Sequence, residues 1–151
     1  MRVQTRSEAE TERVGEELGR CLGRGDVVGL CGPLGVGKTA FVRGVARGLG
    51  VAEGAVRSPS FTTAAEYRGR LAVVHIDLYR HERVLPDPDW LAELLEGDGV
   101  ALVEWFDRLG ASAPERALVV RMAFAGRPDD RRIEIARAGG GFDRRERTEL
   151  A

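Results

Sequence analysis

Residues 32–39 read Gly32-Pro33-Leu34-Gly35-Val36-Gly37-Lys38-Thr39, and this octapeptide constrains the fold more than any other stretch. It has the form G-x-x-x-x-G-K-[ST], which works only between a strand and a helix. The flanks supply both. Asp26 to Cys31 is a short apolar run with the character of a buried strand, and from Ala40 to Leu49 the residues Phe41, Val42, Val45, Ala46 and Leu49 recur at helical spacing, with Gly50 as a stop. Glycines let backbone N–H groups turn inward around a phosphate, and the helix N-terminus adds roughly half a positive charge. In this arrangement Lys38 reaches the outer phosphates and the Thr39 hydroxyl binds Mg2+. Composition sharpens the reading. The chain has 22 arginines and one lysine, and that lysine is Lys38. A compact ammonium suits a tight phosphate cradle better than a planar guanidinium.

The remaining composition bounds the answer. A chain of 151 residues supports one compact domain, and 43% hydrophobic with 31% charged residues is ordinary for a globular protein. A net charge of −1 gives no field that favours nucleic acid or a membrane surface. Apolar runs are too short to span a bilayer, and the N-terminus lacks a signal-peptide core, so a cytoplasmic location with no membrane is expected. Cys21 and Cys31 form no ligand or redox spacing and read as small core residues.

In chain order, Arg2 to Thr5 suggests a short strand. Residues 7–24 open with the capping-box pattern Ser7-Glu8-Ala9-Glu10 and place Val14, Leu18, Cys21 and Leu22 on one face. The stretch Arg57-Ser58-Pro59-Ser60-Phe61-Thr62-Thr63 is a polar loop, where a threonine in a nucleotide-binding protein senses the terminal phosphate. Leu71 to Tyr79 alternates as a strand, with Val73, His75, Asp77 and Tyr79 on one face. Asp77 suits metal hydration or water orientation, whereas a lone His75 reads as structural. Asp87-Pro88-Asp89-Trp90 starts a helix, with Leu91, Leu94 and Leu95 as its apolar face. Val100 to Val103 then form a buried strand that delivers Glu104 and Trp105 at its C-terminal edge, where a phosphate-binding fold places its second metal-holding acid. Two strands, Ala117 to Phe124 and Arg131 to Ala138, are joined by the turn-rich residues 125–130. So short a link allows only an antiparallel hairpin.

The expected fold is therefore α/β: a P-loop NTPase with a mixed parallel and antiparallel central sheet flanked by helices. Residues 1–138 form its single domain. Residues 139–151, three glycines followed by mostly charged residues, read as a flexible C-terminal tail.

Four blocks, Gly32 to Thr39, Ser58-Pro59-Ser60-Phe61-Thr62, His75-Ile76-Asp77-Leu78-Tyr79-Arg80 and Val103-Glu104-Trp105, resemble in order and spacing the TsaE (YjeE) family. That family serves threonylcarbamoyl (t6A) modification of the tRNA adenosine beside the anticodon. The resemblance spans about residues 5–138. It implies an ATPase, weak alone, that binds ATP/ADP and Mg2+ and cycles a TsaB–TsaD transferase, meeting tRNA only through that complex. It also implies residue roles. Gly32, Leu34, Gly35, Val36, Gly37, Lys38, Thr39 and Ala40 line the phosphates; Thr39 and Glu104 hold Mg2+. Thr62 takes the switch-threonine position, Asp77 and Glu104 act in catalysis, and Trp105 lies by the site or the partner surface. Arg127 matches an arginine near the nucleotide and Glu8 a position near the base. Pro33 replaces the family's usual aspartate, and Thr63 replaces a usual leucine. The acidic helix start that usually follows Tyr79-Arg80 is missing from its expected place. Two other readings are open: a nucleotide-gated docking module in which hydrolysis is incidental, and a small-metabolite kinase, against which stands the lack of an arginine-rich lid.

Overall fold

The computed structural model describes residues 1–138, so the expected tail, 139–151, lies outside the described residues. In chain order the elements are β1 (Arg2–Thr5), α1 (Glu8–Cys21), β2 (Val27–Cys31), α2 (Lys38–Gly48), β3 (Ala64–Arg68), β4 (Ala72–Asp77), α3 (Pro88–Leu95), β5 (Val100–Glu104), a 3-10 segment (Phe106–Ser112), β6 (Leu118–Ala125) and β7 (Arg127–Arg137). All seven strands join one sheet in the order β1-β7-β6-β2-β5-β4-β3. The pairs β6–β2, β2–β5 and β5–β4 are parallel, while β1–β7, β7–β6 and β4–β3 are antiparallel. The mixed sheet expected from the sequence is present.

Strand alternation sends side chains to two core layers. Val28, Leu30, Val100, Leu102, Val120 and Met122 pack with Phe41, Val42 and Val45 of α2. Val27, Ala101, Val103, Ile76 and Val119 pack with Leu91 and Leu95 of α3 and with Phe106 and Leu109 of the 3-10 segment. A parallel strand covered on both faces carries a continuous apolar run, which is why β2 and β5 lack polar alternation. Gly29 of β2 is required by packing: a Cβ there would meet the Phe106 ring at 2.2 Å.

Helix α1 begins at Ser7, whose hydroxyl accepts a hydrogen bond from Glu10 N (3.1 Å), while the Glu10 carboxylate accepts from Arg6 N (2.8 Å). Its buried positions are Thr11, Gly15 and Gly19. Cys21, expected in the core, is exposed. The reason is that α1 meets α2 backbone to backbone through Gly15, Gly19, Gly44 and Gly48, each of which would place a Cβ 2.0–2.4 Å from a carbonyl oxygen of the other helix. The contact line therefore runs along the glycines, and the Cys21 side is turned to solvent.

Three further elements differ from the expectation. Strand β3 was not foreseen: Ala-Ala-Glu-Tyr-Arg is weakly β-forming, and it is held at the sheet edge by pairing with β4, Ala64 opposite Ile76 and Arg68 opposite Ala72. Strand β7 begins at Arg127, inside the expected turn, and the reversal is tightened to Gly126 (φ 51°) with a bulge at Phe124/Ala125. Arg127 pairs with Ala125 of β6, the register shift leaves residues 128–130 opposite no β6 residue, and β1 covers just Arg131–Glu134. Arg127, Pro128 and Asp129 are therefore tolerated in a strand. The 3-10 segment also went unread, since Asp107 and Arg108 interrupt any periodicity.

Candidate functional site

The parallel strands β2, β4 and β5 end together, and the candidate residues collect at these C-terminal ends, where open α/β sheets bind ligands. The loop after β2 turns on three glycines with positive φ: Gly32 (151°), Gly35 (77°) and Gly37 (109°). A Cβ on Gly32 would strike Met122 O at 2.5 Å. Pro33 lacks an N–H, yet its carbonyl accepts from Val36 N (3.3 Å) and from Lys38 Nζ (2.9 Å), so the loop closes through its oxygen. Val36 is buried and Leu34 stands 67% exposed at the loop. Among the described residues no side chain caps α2, whose N-cap is Gly37. Lys38, Thr39 and Ala40 form its first turn; the helix starts two residues before its expected beginning at Ala40.

Lys38 is buried, and its ammonium donates to Gly32 O (2.7 Å) and Pro33 O while lying 4.0 Å from the Trp105 ring centroid. Burial lowers its pKa from the usual lysine value; the carboxylates of Glu104, Asp77 and Asp107 act in the opposite direction. Trp105 adopts a left-handed backbone (φ 58°), an uncommon state for a large residue. Arg108 lies 4.5 Å from the Trp105 ring and donates to the carbonyls of Leu78 and Tyr79, tying the end of β5 to the end of β4.

Beside the loop, the Thr39 hydroxyl donates to both oxygens of Glu104, at 2.9 and 3.1 Å. Register places Asp77 directly across from Glu104 on the neighbouring strand. Both carboxylates are almost fully buried. Asp77 Oδ2 accepts from Ser58 Oγ (3.0 Å), Oδ1 accepts from Tyr79 N (2.9 Å), and its own N–H donates to Thr63 O (2.8 Å).

The structure brings together Lys38, Thr39, Asp77, Glu104 and Trp105. It places the other candidates differently. Thr62 is exposed and its hydroxyl donates to Ala64 O; the residues that tie this loop to Asp77 are Ser58 and Thr63, and Thr63 takes a left-handed backbone (φ 68°). Arg127 is exposed at the hairpin, whereas Arg131, four residues on, donates from Nε to Val36 O at 2.7 Å. Glu8 accepts from Arg43 of α2 at 2.8 Å, one turn beyond the start of the phosphate-loop helix. The sequence signal for Ser58 was its place in the same hydroxyl-rich loop. Arg108 and Arg131 carried none, because arginine is the general cation of this chain.

The geometry fits a nucleotide diphosphate or triphosphate with magnesium. The glycine turns and the uncapped helix start form an anion cradle, and a hydroxyl plus carboxylates are the hard oxygen donors that Mg2+ prefers. Among the described residues there is no group of three or more His, Cys, Asp or Glu able to hold a metal alone. No helix among the described residues is long and apolar enough to cross a membrane.

Fold and site together define a P-loop protein. A family model described as "Threonylcarbamoyl adenosine biosynthesis protein TsaE" matches residues 5–133. The chain is 42% identical to the tRNA threonylcarbamoyladenosine biosynthesis protein TsaE of Treponema pallidum over 81% of its own length and 90% of that protein. It is 37% identical to the TsaE protein of Bacillus subtilis, over 89% of this chain and 84% of that one. Its fold is similar to the crystal structure of Bacillus subtilis YdiB, with a TM-score of 0.76 and 34% identity over 92% of this chain and 86% of that one. The chain belongs to the TsaE family of tRNA t6A biosynthesis.

Proposed function

We propose that this protein is the ATPase subunit of t6A synthesis: it binds ATP with Mg2+ at the β2–α2 loop, and its hydrolysis cycles the TsaB–TsaD transferase. The observation that carries this is the contact of the half-buried Thr39 with the buried Glu104, with the buried Asp77 alongside, at the mouth of a glycine loop. Thr39 and Glu104 would hold Mg2+, which supplies neutralisation of charge on the transferring phosphoryl group. Lys38 binds the outer phosphates by exchanging the Gly32 and Pro33 carbonyls for phosphate oxygens, a short movement of an already desolvated ammonium. Asp77, held on both oxygens, orients the attacking water or the hydration shell of the ion. Trp105 covers the lysine and Arg108 lies against the same ring, an arrangement that would limit entry of bulk water. Thr62 serves as the switch threonine, reaching the site when its loop rearranges. Arg127 and Glu8 contact the nucleotide periphery. The single domain works in the cytoplasm, and its net charge of −1 supports contact with tRNA through the complex rather than alone.

The test is ATP hydrolysis and t6A formation with purified TsaB–TsaD and Mg2+, with Lys38→Ala as control. Stimulated phosphate release by the wild type, lost in the variant, is expected; turnover unaffected by the partners or by the substitution would overturn the reading. A second reading, nucleotide-gated docking, draws on the exposed Leu34, Phe61 (84%) and Tyr79 around the site. It predicts that ATP binding without turnover sustains partner assembly.

A further inference from the structure

We infer that His75 is a positioning residue for the metal-holding acid Glu104, an inference that rests on the nucleotide reading above. His75 is fully buried in β4, a place where an aliphatic side chain packs at less desolvation cost. Its strand neighbours explain why it faces the site. Val73 and Asp77 share its face, it pairs with Leu102 across β5, and Glu104 is two residues further along that strand on the same side. From there Nε2 reaches Glu104 Oε1 at 2.8 Å. A carboxylate that holds a cation only accepts, so in that role Nε2 carries the hydrogen and donates it. The other ring nitrogen, Nδ1, is buried and has no hydrogen-bond partner among the described residues. A histidine kept for its own satisfaction would use both nitrogens. This one leaves one unused and commits the other to Glu104.

The consequence concerns geometry at the metal site. Glu104 Oε1 accepts from both Thr39 Oγ1 and His75 Nε2, whereas Oε2 accepts from Thr39. Thr39 is itself a proposed metal ligand, so its hydroxyl is not a permanent anchor for the acid. The His75 N–H is, because it comes from a fully buried ring on the adjacent strand. It fixes the carboxylate rotamer and leaves Oε2 with the Thr39 oxygen as the pair offered to a cation. Partners of this kind commonly change metal affinity by about 10–100-fold when removed.

The experiment compares His75→Met with His75→Gln, two side chains of similar length of which only glutamine carries an N–H donor at the position of Nε2. ADP affinity is titrated against Mg2+ concentration, with ADP and MgCl2 as the probes, and thermal melts report folding. In H75M the half-saturating Mg2+ is expected to rise about 10–100-fold while ADP affinity without Mg2+ is unchanged; in H75Q the wild-type Mg2+ dependence returns. An H75M protein with wild-type Mg2+ dependence, or an H75Q protein as impaired as H75M, would overturn the assignment. Glu104→Gln separates the two levels of inference. Its loss of the Mg2+ effect upholds the metal reading whatever His75 does, whereas a retained effect removes Glu104 as a ligand and His75 with it. Should H75M not fold, the 15N spectrum of the wild-type imidazole decides: an Nε2–H tautomer is expected, and an Nδ1–H tautomer refutes the donation.

Discussion

Gly44→Ala places one methyl group where α2 crosses α1, and its sign separates two accounts of that helix pair. In an ordinary helix interior, alanine in place of glycine is worth about 1 kcal/mol of added stability. Here the new Cβ would lie 2.0 Å from Glu12 O and 2.9 Å from Glu12 Cα, both backbone atoms. Restoring even a tight 3.4 Å contact requires the helices to part locally by 3.4 − 2.0 = 1.4 Å. Overpacking of this severity costs about 3 kcal/mol, the upper part of the usual range. The shift also strains the arginine–glutamate ladder between the helices, in which Glu12 bonds Arg43 (3.0 Å) and Arg47 (2.9 Å). These pairs are partly exposed and add little. The net loss is about 2 kcal/mol, which for a domain of this size lowers Tm by roughly 4–8 °C. Thermal melts of G44A against Gly23→Ala provide the assay, since a Cβ on Gly23 would meet nothing nearer than Asp26 Oδ2 at 3.9 Å. Helix α2 is anchored by the fully buried Phe41, Val42 and Val45, so α1 gives way and ADP affinity holds. A G44A protein that melts at or above the wild type would refute the close backbone contact.

Other consequences are equally direct. Glu104→Ala is expected to abolish phosphate release while retaining ATP binding, measured in parallel; unchanged turnover would remove Glu104 from the chemistry. Burial raises the Cys31 pKa to about 11, leaving roughly one thiol in a thousand ionised at pH 8, whereas Cys21 is exposed. Iodoacetamide followed by peptide mass spectrometry should therefore label Cys21 well before Cys31, and equal rates would contradict the burial. Burial tends to raise the Glu12 pKa, but hydrogen bonds from Arg47 and Arg43 outweigh it and hold the group below its usual 4.5. A depressed carboxylate contributes stability that is complete above its unfolded value and lost as pH falls through the folded one. The Tm gap between wild type and Glu12→Gln should thus be steady near neutrality and close below about pH 4.5; a gap that persists to the acid limit would count against these bonds.

How far the sequence disclosed this molecule depended on whether a feature was local. The glycine loop, the apolar runs of β2 and β5 and the capped starts of α1 and α3 are written in adjacent residues, and the structure contains them. Glu104 was legible because it ends a readable strand and Asp77 because it lies on the polar face of one, read as far as Tyr79 although β4 stops at Asp77; only the β4–β5 register makes them neighbours. What escaped depends on distant partners. Strand β3 exists because β4 offers an edge, not because Ala64-Ala65 prefers extension. The choice among Ser58, Thr62 and Thr63 turns on one left-handed residue, Thr63, which no residue type announces. Glycines 15, 19, 44 and 48 look like poor helix formers until the helices are laid against each other. His75 read as a structural histidine because its partner lies 29 positions away.

The central claim is that residues 32–39 form a working nucleotide seat built around the chain's single lysine. It is tested most directly by calorimetric titration of ATP, with Mg2+, into the wild-type protein and into Lys38→Ala. The account predicts binding at one nucleotide per chain that is lost or severely weakened in K38A while the fold melts as before. A wild-type protein that binds no ATP, or a folded K38A that binds it equally well, would contradict it.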